Sequence, residues 1–276
     1  YMDIVNTLII SIVEGLTEYL PVSSTAHMIF TFALLHIKED AFAKVFIIAV
    51  QMGAILAVVV CYWHQFFNRS ALNFYAKLLI AVLPALFSGA LLHHVIENWL
   101  EKPVIVAILL IIGGVALLFV DEYFNQPTHI TEESQINFKR AFIIGCWQCL
   151  ALIPGVSRSA ASIVGGMQQR LSRSLAAEFS FFLAVPTMCA ATLFSLLIKQ
   201  WSNGVISQKG YQLILSSPEH LHLFLIGFIT AFIVAILSIR VFIGLVRRYG
   251  FKPWGWYRIV AGFILLGIFI TQGAIK

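Results

Sequence analysis

Two acidic residues near the start of the chain have a spacing that could support chemistry. Glu14 and Glu18 are four residues apart. On a helix they would share one face, separated by roughly 6 Å along the axis. Two bare carboxylates this close repel each other, so either one of them holds a proton or a cation lies between them. Because ionisable groups in an apolar segment usually mark a functional site, we interpret the pair as functional rather than as a structural polar contact.

The next segment predicts the end of one helix and the start of another. Pro21 ends the helix that carries the two acids. Ser23, Ser24 and Thr25 favour a helix start, because their side-chain oxygens accept hydrogen bonds from the free N–H groups of a first turn. His27 would lie in that first turn. The new helix offers N–H donors and the positive end of its dipole to an anion.

A second stretch, residues 148–162, repeats this pattern and adds an arginine. Pro154 aligns with Pro21 when one glycine is inserted, and small hydroxyl residues again follow the proline. Arg158 lies in this turn, and arginine suits bidentate phosphate binding. One motif is rich in carboxylates and the other carries the cation, so together they could hold a metal ion and a phosphate side by side. The hydroxyl residues that could assist in phosphate binding are Ser23, Thr25, Ser157, Ser159 and Ser162.

The composition predicts a polytopic membrane protein. The chain has 276 residues, of which 60% are hydrophobic and only 11% charged, and its mean hydropathy is +0.90. A soluble domain would carry about 25% charged residues. The net charge of +5 calls for no nucleic-acid partner, because an excess of Lys and Arg is usual in the cytoplasmic loops of membrane proteins. The first apolar stretch contains two acids and lacks a basic leading region, so we do not expect it to be a signal peptide.

The four cysteines all fall in apolar segments. Cys146 and Cys149 have the C-x-x-C spacing of a redox motif. No thioredoxin-like βαβ pattern surrounds them, so we interpret them as thiols embedded in the membrane.

The apolar runs predict an all-α integral membrane protein with a single membrane domain, 1–276. Its two halves, 1–124 and 138–276, would be joined by a polar loop at 125–137. Each half would contain a re-entrant helical hairpin and three membrane-spanning helices. The predicted hairpins are 2–20 with 24–36, and 138–153 with 158–171. The predicted spans are 41–64, 74–97 with a kink at Pro84, 104–124, 174–199, 219–247 and 254–274.

An odd number of spans in each half places the two halves in opposite orientations. This is the inverted-topology repeat, in which a site forms near the midplane at the interface of the halves. We expect the remaining long loop, 200–217, to be an exposed excursion.

The distribution of Lys and Arg predicts which side is cytoplasmic. The basic side carries Arg69, Lys139, Arg140, Arg170, Arg173, Arg247, Arg248 and Lys252. The other side carries Lys38, Lys102, Lys209 and Lys276, with Lys44 and Lys199 near span ends. The first hairpin should therefore open outward.

Three further polar residues lie within the predicted spans and the second hairpin. Gln51, Gln148 and Glu178 are candidates to contact the catalytic residues and hold them in position. Interhelical hydrogen bonding explains them equally well.

Both motifs resemble those of the undecaprenyl-pyrophosphate phosphatase family, also called the bacitracin-resistance family. The resemblance extends over nearly the whole chain. It is carried by Glu14-Gly-Leu-Thr-Glu18, Leu20-Pro-Val-Ser-Ser-Thr25 with His27, Pro154-Gly-Val-Ser-Arg-Ser159 and Glu178-Phe-Ser-Phe-Phe-Leu-Ala-Val-Pro186. The sequence departs from the family pattern at Ala26, Ala160 and Ser162, where Gly, Gly and Thr are usual. These departures bear on fine loop geometry.

The resemblance implies an enzyme of the bacterial plasma membrane that converts undecaprenyl pyrophosphate to undecaprenyl phosphate. This reaction recycles the cell-wall lipid carrier and confers bacitracin resistance. The resemblance also implies dependence on a divalent cation, a site that faces outward and a homodimer among membrane lipids.

The residues suit this chemistry, because a pyrophosphate needs positive charge on its oxygens and an in-line nucleophile. We assign the first task to Arg158, the two helix starts and a Mg²⁺ or Ca²⁺ ion held by Glu14 and Glu18. Ser24 is the preferred nucleophile, with His27 three residues later as its proton partner. A water activated by the metal or by His27 is the alternative.

Two other classes of protein share some of these features. A polyprenyl-phosphate transporter or flippase would also combine an inverted repeat with broken helices. A phosphatase of the acid-phosphatase-like lipid superfamily would need two histidines in separate motifs and a lysine-arginine motif. This chain has only one short Ser-x-x-His piece, which argues against that class.

Overall fold

The structure is a computed structural model. It describes residues 2–37, 40–67, 71–100, 102–124, 130–202 and 207–271, with only the backbone at 71 and 93–100. Lys38, Arg69 and Lys276, which contribute to the predicted orientation, lie outside these ranges, as do residues 125–129 of the predicted joining loop.

The described chain is almost entirely helical. The first half contains α1 (Ile4–Thr17), α2 (Ser24–Leu34), α3 (Ala41–Cys61), α4 (Trp63–Phe67), α5 (Ala71–Leu100) and α6 (Pro103–Tyr123). The second half contains α7 (Phe138–Gln148), α8 (Arg158–Gln168), α9 (Arg173–Leu193), α10 (Gly210–Leu215), α11 (Pro218–Tyr249) and α12 (Lys252–Thr271). Shorter elements are the 3₁₀ turns Glu133–Gln135 and Cys149–Leu152, the π-helical turn Phe194–Ile198, and strands β1 (Gln200–Ser202) and β2 (Ser207–Lys209).

Six helical segments of the described chain are long and apolar enough to cross a membrane. They are Ala41–Cys61, Leu72–Leu92, Pro103–Tyr123, Arg173–Ile198, Pro218–Tyr249 and Lys252–Thr271. The prediction of an all-α, multi-pass integral membrane protein is confirmed, and each predicted span corresponds to one of these segments. The second of them belongs to α5, which continues through Pro84.

Four helices of intermediate length are too short to cross a membrane: α1, α2, α7 and α8. They contain 14, 11, 11 and 11 residues. At 1.5 Å per residue, such helices extend about 16–21 Å, whereas the hydrocarbon core is about 30 Å thick. Their lengths suit the two predicted hairpins, whose turns would lie at membrane depth where backbone can line a cavity.

Helix contacts link the two halves reciprocally. Helix α1 packs against α11, and its counterpart α7 packs against α5, while α3 contacts α9 and α6 contacts α12. Glycines permit the two hairpin contacts. A Cβ atom at Gly15 would lie 2.8 Å from the Ala231 carbonyl oxygen, and one at Gly145 would lie 2.1 Å from that of Ala81. The opposite orientation of the halves in the membrane stays a prediction.

The segment at 200–217 differs from the predicted exposed loop. Strands β1 and β2 pair antiparallel, with Trp201 opposite Gln208. Trp201 is only 8% exposed, and it belongs to one buried apolar cluster with Leu213 and Val45. Burial of these side chains explains why the described parts of this segment, 200–202 and 207–217, pack against α3.

Candidate active site

The two hairpin turns meet at Glu18, whose carboxylate joins them. Glu18 Oε2 accepts a hydrogen bond of 2.7 Å from the Ser24 hydroxyl, which belongs to the same hairpin. Its Oε1 accepts a bond of 2.8 Å from Nη2 of Arg158, at the start of α8 in the other hairpin. The ion pair is nearly buried, with side-chain exposures of 4% for Glu18 and 10% for Arg158. The two sequence motifs therefore form one site.

Glu14 lies one helical turn before Glu18 and is fully buried. Neither of its carboxylate oxygens has a hydrogen-bond partner among the described residues. An unpartnered carboxylate in such surroundings is costly unless it binds a proton or a cation. Glu14 and the neighbouring Glu18 therefore either share a proton or have a cation between them.

The helices that follow the two turns begin at residues with the same unusual backbone conformation. Ser23 and Ser157 are the N-cap residues of α2 and α8, and their φ angles are 70° and 78°. Their hydroxyls accept bonds from the backbone N–H groups of Ala26 and Ala160. Positive φ in a residue with a side chain costs free energy and persists only where the surroundings enforce it. Two equivalent strained caps indicate that both helix starts are held in a defined geometry.

Arg158 retains a free donor. Its Nη1 donates to the Ser180 carbonyl at 3.0 Å, and its guanidinium carbon lies 5.7 Å from the centre of the Tyr19 ring. Its Nε is buried without a hydrogen-bond partner among the described residues. Because a buried guanidinium N–H without a partner is costly, this donor points to a place for an anion.

The ring of His27 is held by two partners. Its Nδ1 lies 2.8 Å from the Ser23 carbonyl, which can only accept, so Nδ1 carries a proton. Its Nε2 then accepts from the hydroxyl of Tyr257 at 2.7 Å. The described residues do not form the predicted Ser24–His27 hydrogen bond, because Ser24 donates to Glu18 instead.

The other predicted phosphate-binding hydroxyls differ in how far the protein already uses them. Ser159 donates to the Leu20 carbonyl at 2.7 Å and joins the two turns directly. Ser157 contacts Ser159 at 3.0 Å. Ser162 lies 2.7 Å from Ser180 and also donates to the Arg158 carbonyl. Thr25 is half-buried. The role of these four hydroxyls in phosphate binding stays a prediction.

The three predicted supporting residues lie in different surroundings. Gln148 is buried, and its amide nitrogen donates to Thr187 at 3.0 Å. Gln51 is half-buried within α3. Glu178 is half-buried within α9 and interacts with Arg247 near the end of α11. That these three residues hold the catalytic residues in position stays a prediction.

Sequence reasoning missed two residues on α12 that contact the turns. Tyr257 binds His27, and Arg258 donates to backbone carbonyls of both turns. Arg258 is fully buried. A signal was present, because an arginine inside an apolar span is expected to have a functional or structural partner.

The fold and site define a class: a multi-pass membrane protein whose interrupted helices place carboxylate, hydroxyl and guanidinium groups together between two hairpins. Comparison with known proteins identifies the family. The family model for the bacitracin resistance protein BacA matches residues 7–264, so the chain belongs to this family.

Several relatives carry the name undecaprenyl-diphosphatase. The one from Flavobacterium johnsoniae is 48% identical over 265 residues, which cover 96% of each chain. The one from Porphyromonas gingivalis is 42% identical over 287 residues, covering 98% of each chain. The one from Bdellovibrio bacteriovorus is 42% identical over 271 residues, covering 98% of this chain and 97% of the relative. The family resemblance inferred from the motifs is thereby confirmed.

Proposed function

We propose that this protein hydrolyses undecaprenyl pyrophosphate to undecaprenyl phosphate and inorganic phosphate, which recycles the cell-wall lipid carrier and confers bacitracin resistance. The observation that carries the proposal is the Glu18 carboxylate, which contacts both the Ser24 hydroxyl and the Arg158 guanidinium. A potential nucleophile and a phosphate-binding cation are therefore both hydrogen-bonded to one potential proton acceptor. The membrane setting suits a lipid substrate.

Substrate binding would use the free donors of the site. The diphosphate would receive hydrogen bonds from Arg158 Nε and from the N-terminal N–H groups of α2 and α8, where the helix dipoles are positive. In a water-poor site such donors stabilise the charge that spreads over the phosphoryl oxygens in the transition state.

The bond-breaking step would be a displacement at the terminal phosphorus. Ser24 Oγ forms a bond to this phosphorus while the bond to the bridging oxygen breaks, and undecaprenyl phosphate leaves. Glu18 Oε2, 2.7 Å from the hydroxyl, accepts its proton. Water then attacks the phosphoserine: its oxygen and one proton leave with the phosphate, and its other proton returns to Ser24. The proton held by Glu18 passes to the leaving lipid phosphate or to water, which restores the carboxylate.

Arg158 would couple binding to this step. In the structure it neutralises Glu18 through one N–H donor. When the diphosphate competes for the guanidinium, Glu18 loses part of this interaction and becomes a better proton acceptor. The base would thus become active when substrate is present.

His27 supports the alternative in which water attacks directly. Its Nε2 is hydrogen-bonded to the hydroxyl of Tyr257, a residue that is 47% exposed. A neutral imidazole with Nε2 as its acceptor could take a proton from water if the Tyr257 hydroxyl moved away. Serine attack is the main proposal, because the Ser24–Glu18 contact is already formed.

A divalent cation fits beside these residues. No group of three or more His, Cys, Asp or Glu side chains among the described residues could hold a metal alone. Mg²⁺, however, often binds through one or two carboxylates together with substrate phosphates. Glu14 has two free oxygens, and Glu18 is the adjacent carboxylate. A bound Mg²⁺ or Ca²⁺ ion would neutralise charge on the diphosphate.

Replacing Glu14 by glutamine should raise the metal concentration needed for half-maximal activity by about tenfold or more, because one charged ligand is lost. Excess chelator should silence the wild-type enzyme. The measurement is phosphate release during titration with Mg²⁺ and with Ca²⁺. Full activity in chelator would instead assign Glu14 and Glu18 as a pair that shares a proton.

The proposed activity is tested by phosphate release from purified protein in detergent with undecaprenyl pyrophosphate. We expect stoichiometric release of phosphate and formation of the monophosphate lipid, which chromatography resolves. A transporter or flippase would release no phosphate. The names of the relatives favour the phosphatase.

Two finer features are also proposed. Lys139 and Arg140, which lie in the first turn of the second hairpin, support an orientation with the site facing outward, away from the cytoplasm. Single cysteines placed at these positions should not be labelled from outside intact cells, and labelling there would overturn this orientation.

We also propose that the protein forms a homodimer. A single-subunit mass for the purified enzyme in lipid nanodiscs would contradict this.

A further inference from the structure

Arg258 of α12 contacts backbone carbonyls of three separate segments. Its Nε donates to the Leu110 carbonyl of α6 at 3.2 Å. Its Nη1 donates to the carbonyls of Pro21 at 3.0 Å and Val156 at 2.9 Å, and its Nη2 donates to that of Gly155 at 2.8 Å. The side chain is fully buried. Arg258 forms no ion pair with a carboxylate among the described residues, so its charge is met by carbonyl dipoles.

The carbonyls bound by Nη1 and Nη2 belong to the two turns that build the site. Pro21 is three residues before Ser24, and Val156 is two residues before Arg158. One planar guanidinium therefore joins the first hairpin to the second. Because its N–H donors have fixed directions, it restricts the relative position of the two turns more than a single hydrogen bond would.

The strained caps need such a restriction. Ser23 lies two residues after Pro21, and Ser157 directly follows Val156, whose carbonyls Arg258 binds. Both serines have a positive φ angle. Strained backbone of this kind persists only when the surrounding contacts over-determine it. The hydrogen bond from Ser159 to the Leu20 carbonyl also joins the two turns, and Arg258 binds the carbonyls of Pro21 and Gly155.

Helix α6 is shaped to receive this guanidinium. A Cβ atom at Gly113 would lie 2.2 Å from Nη2 of Arg258. A side chain at this position would therefore displace the guanidinium from the carbonyls. The close packing of α6 against α12 and the position of Arg258 depend on each other.

We infer that Arg258 is a positioning residue, which holds the two turns together so that Ser24 and Glu18 of one hairpin meet Arg158 of the other. Its role in turnover rests on the function proposed above. Its role in fixing the turns does not depend on that function. Arg258 contacts no reacting atom; it acts by holding the backbone carbonyls of the two turns.

The test compares Arg258→Lys, Arg258→Met and Gly113→Ala with the wild type. Lysine retains the charge but not the fork of donors. Methionine removes both, and Gly113→Ala moves the guanidinium without changing it. We expect Arg258→Met to lower kcat by about 100-fold with a much smaller change in KM, because misplacement of about 1 Å in a reacting group can cost that factor. Arg258→Lys and Gly113→Ala should lie between Arg258→Met and the wild type.

A second readout follows the turns directly. Hydrogen–deuterium exchange measured by mass spectrometry should rise in peptides covering 18–27 and 153–162 in all three variants, and it should rise in both turns together. The matched control is Arg173→Lys, which disturbs another interhelical arginine contact, the 2.7 Å pair with Asp121. It should lower thermal stability without changing exchange in the turns or kcat.

Unchanged exchange in both turns, or the wild-type kcat in Arg258→Met, would overturn the inference. If Arg258→Met does not fold, Gly113→Ala and Arg258→Lys decide by the same two readouts. Failure of the wild type to release phosphate would reject the proposed function, whereas the exchange data would still show whether Arg258 holds the turns.

Discussion

Ser24→Ala is expected to abolish phosphate release, lowering kcat by more than about 10³-fold, as is usual when a nucleophile is removed. The reason is that the Ser24 hydroxyl, already bonded to Glu18 at 2.7 Å, would form the bond to phosphorus. Ser24→Thr should retain a small fraction. The measurement is steady-state phosphate release at saturating metal, together with a search for phosphoserine in enzyme quenched during turnover.

Comparison with His27→Ala separates the two routes. Under serine attack with Glu18 as the base, His27→Ala should cost less than Ser24→Ala, because His27 then only holds the Ser23 carbonyl, and the double variant should be no worse than Ser24→Ala alone. Under attack by water, His27→Ala should abolish turnover. Residual turnover of more than about a few per cent in Ser24→Ala would reject serine as the nucleophile and favour direct attack by water. The matched control is Ser238→Ala, which removes a buried hydroxyl that donates to α1 at the Leu16 carbonyl. It should keep nearly full activity.

Arg158→Ala should reduce activity at least about 100-fold, because removal of one donor that stabilises transition-state charge costs roughly 3 kcal/mol. The change also leaves Glu18 buried without its cation. Arg158→Lys should restore only part of the activity, since an ammonium group cannot reach Glu18, the Ser180 carbonyl and a phosphate at once. The measurement is kcat/KM for each variant.

Arg248→Ala provides the control for loss of an arginine at the end of a membrane helix. Arg248 is exposed, and its guanidinium carbon lies 5.1 Å from the centre of the neighbouring Tyr249 ring, so this variant should remain active. Near-normal turnover in Arg158→Ala would remove Arg158 from the proposed site.

The helices and turns that carry the site follow from local patterns in the sequence. Long apolar runs with few charges require membrane-spanning helices, because backbone groups in hydrocarbon must bond to one another. Helices α1 and α7 end at Thr17 and Gln148, a few residues before Pro21 and Pro154, and the serines after these prolines start new helices. These are local effects of residue type. They therefore predict that Glu18, Ser24 and Arg158 lie at the turns of two hairpins.

The tertiary structure alone decided which side chains meet. Helical spacing allows Ser24 to contact His27. In the structure Ser24 is instead hydrogen-bonded to Glu18, and His27 is hydrogen-bonded to Tyr257, which is 230 residues further along the chain. Arg258 likewise joins turns that are more than 100 residues distant from it. Local periodicity carries no information about such partners. They depend on how α12 packs against α6, where glycines allow an arginine to reach both turns.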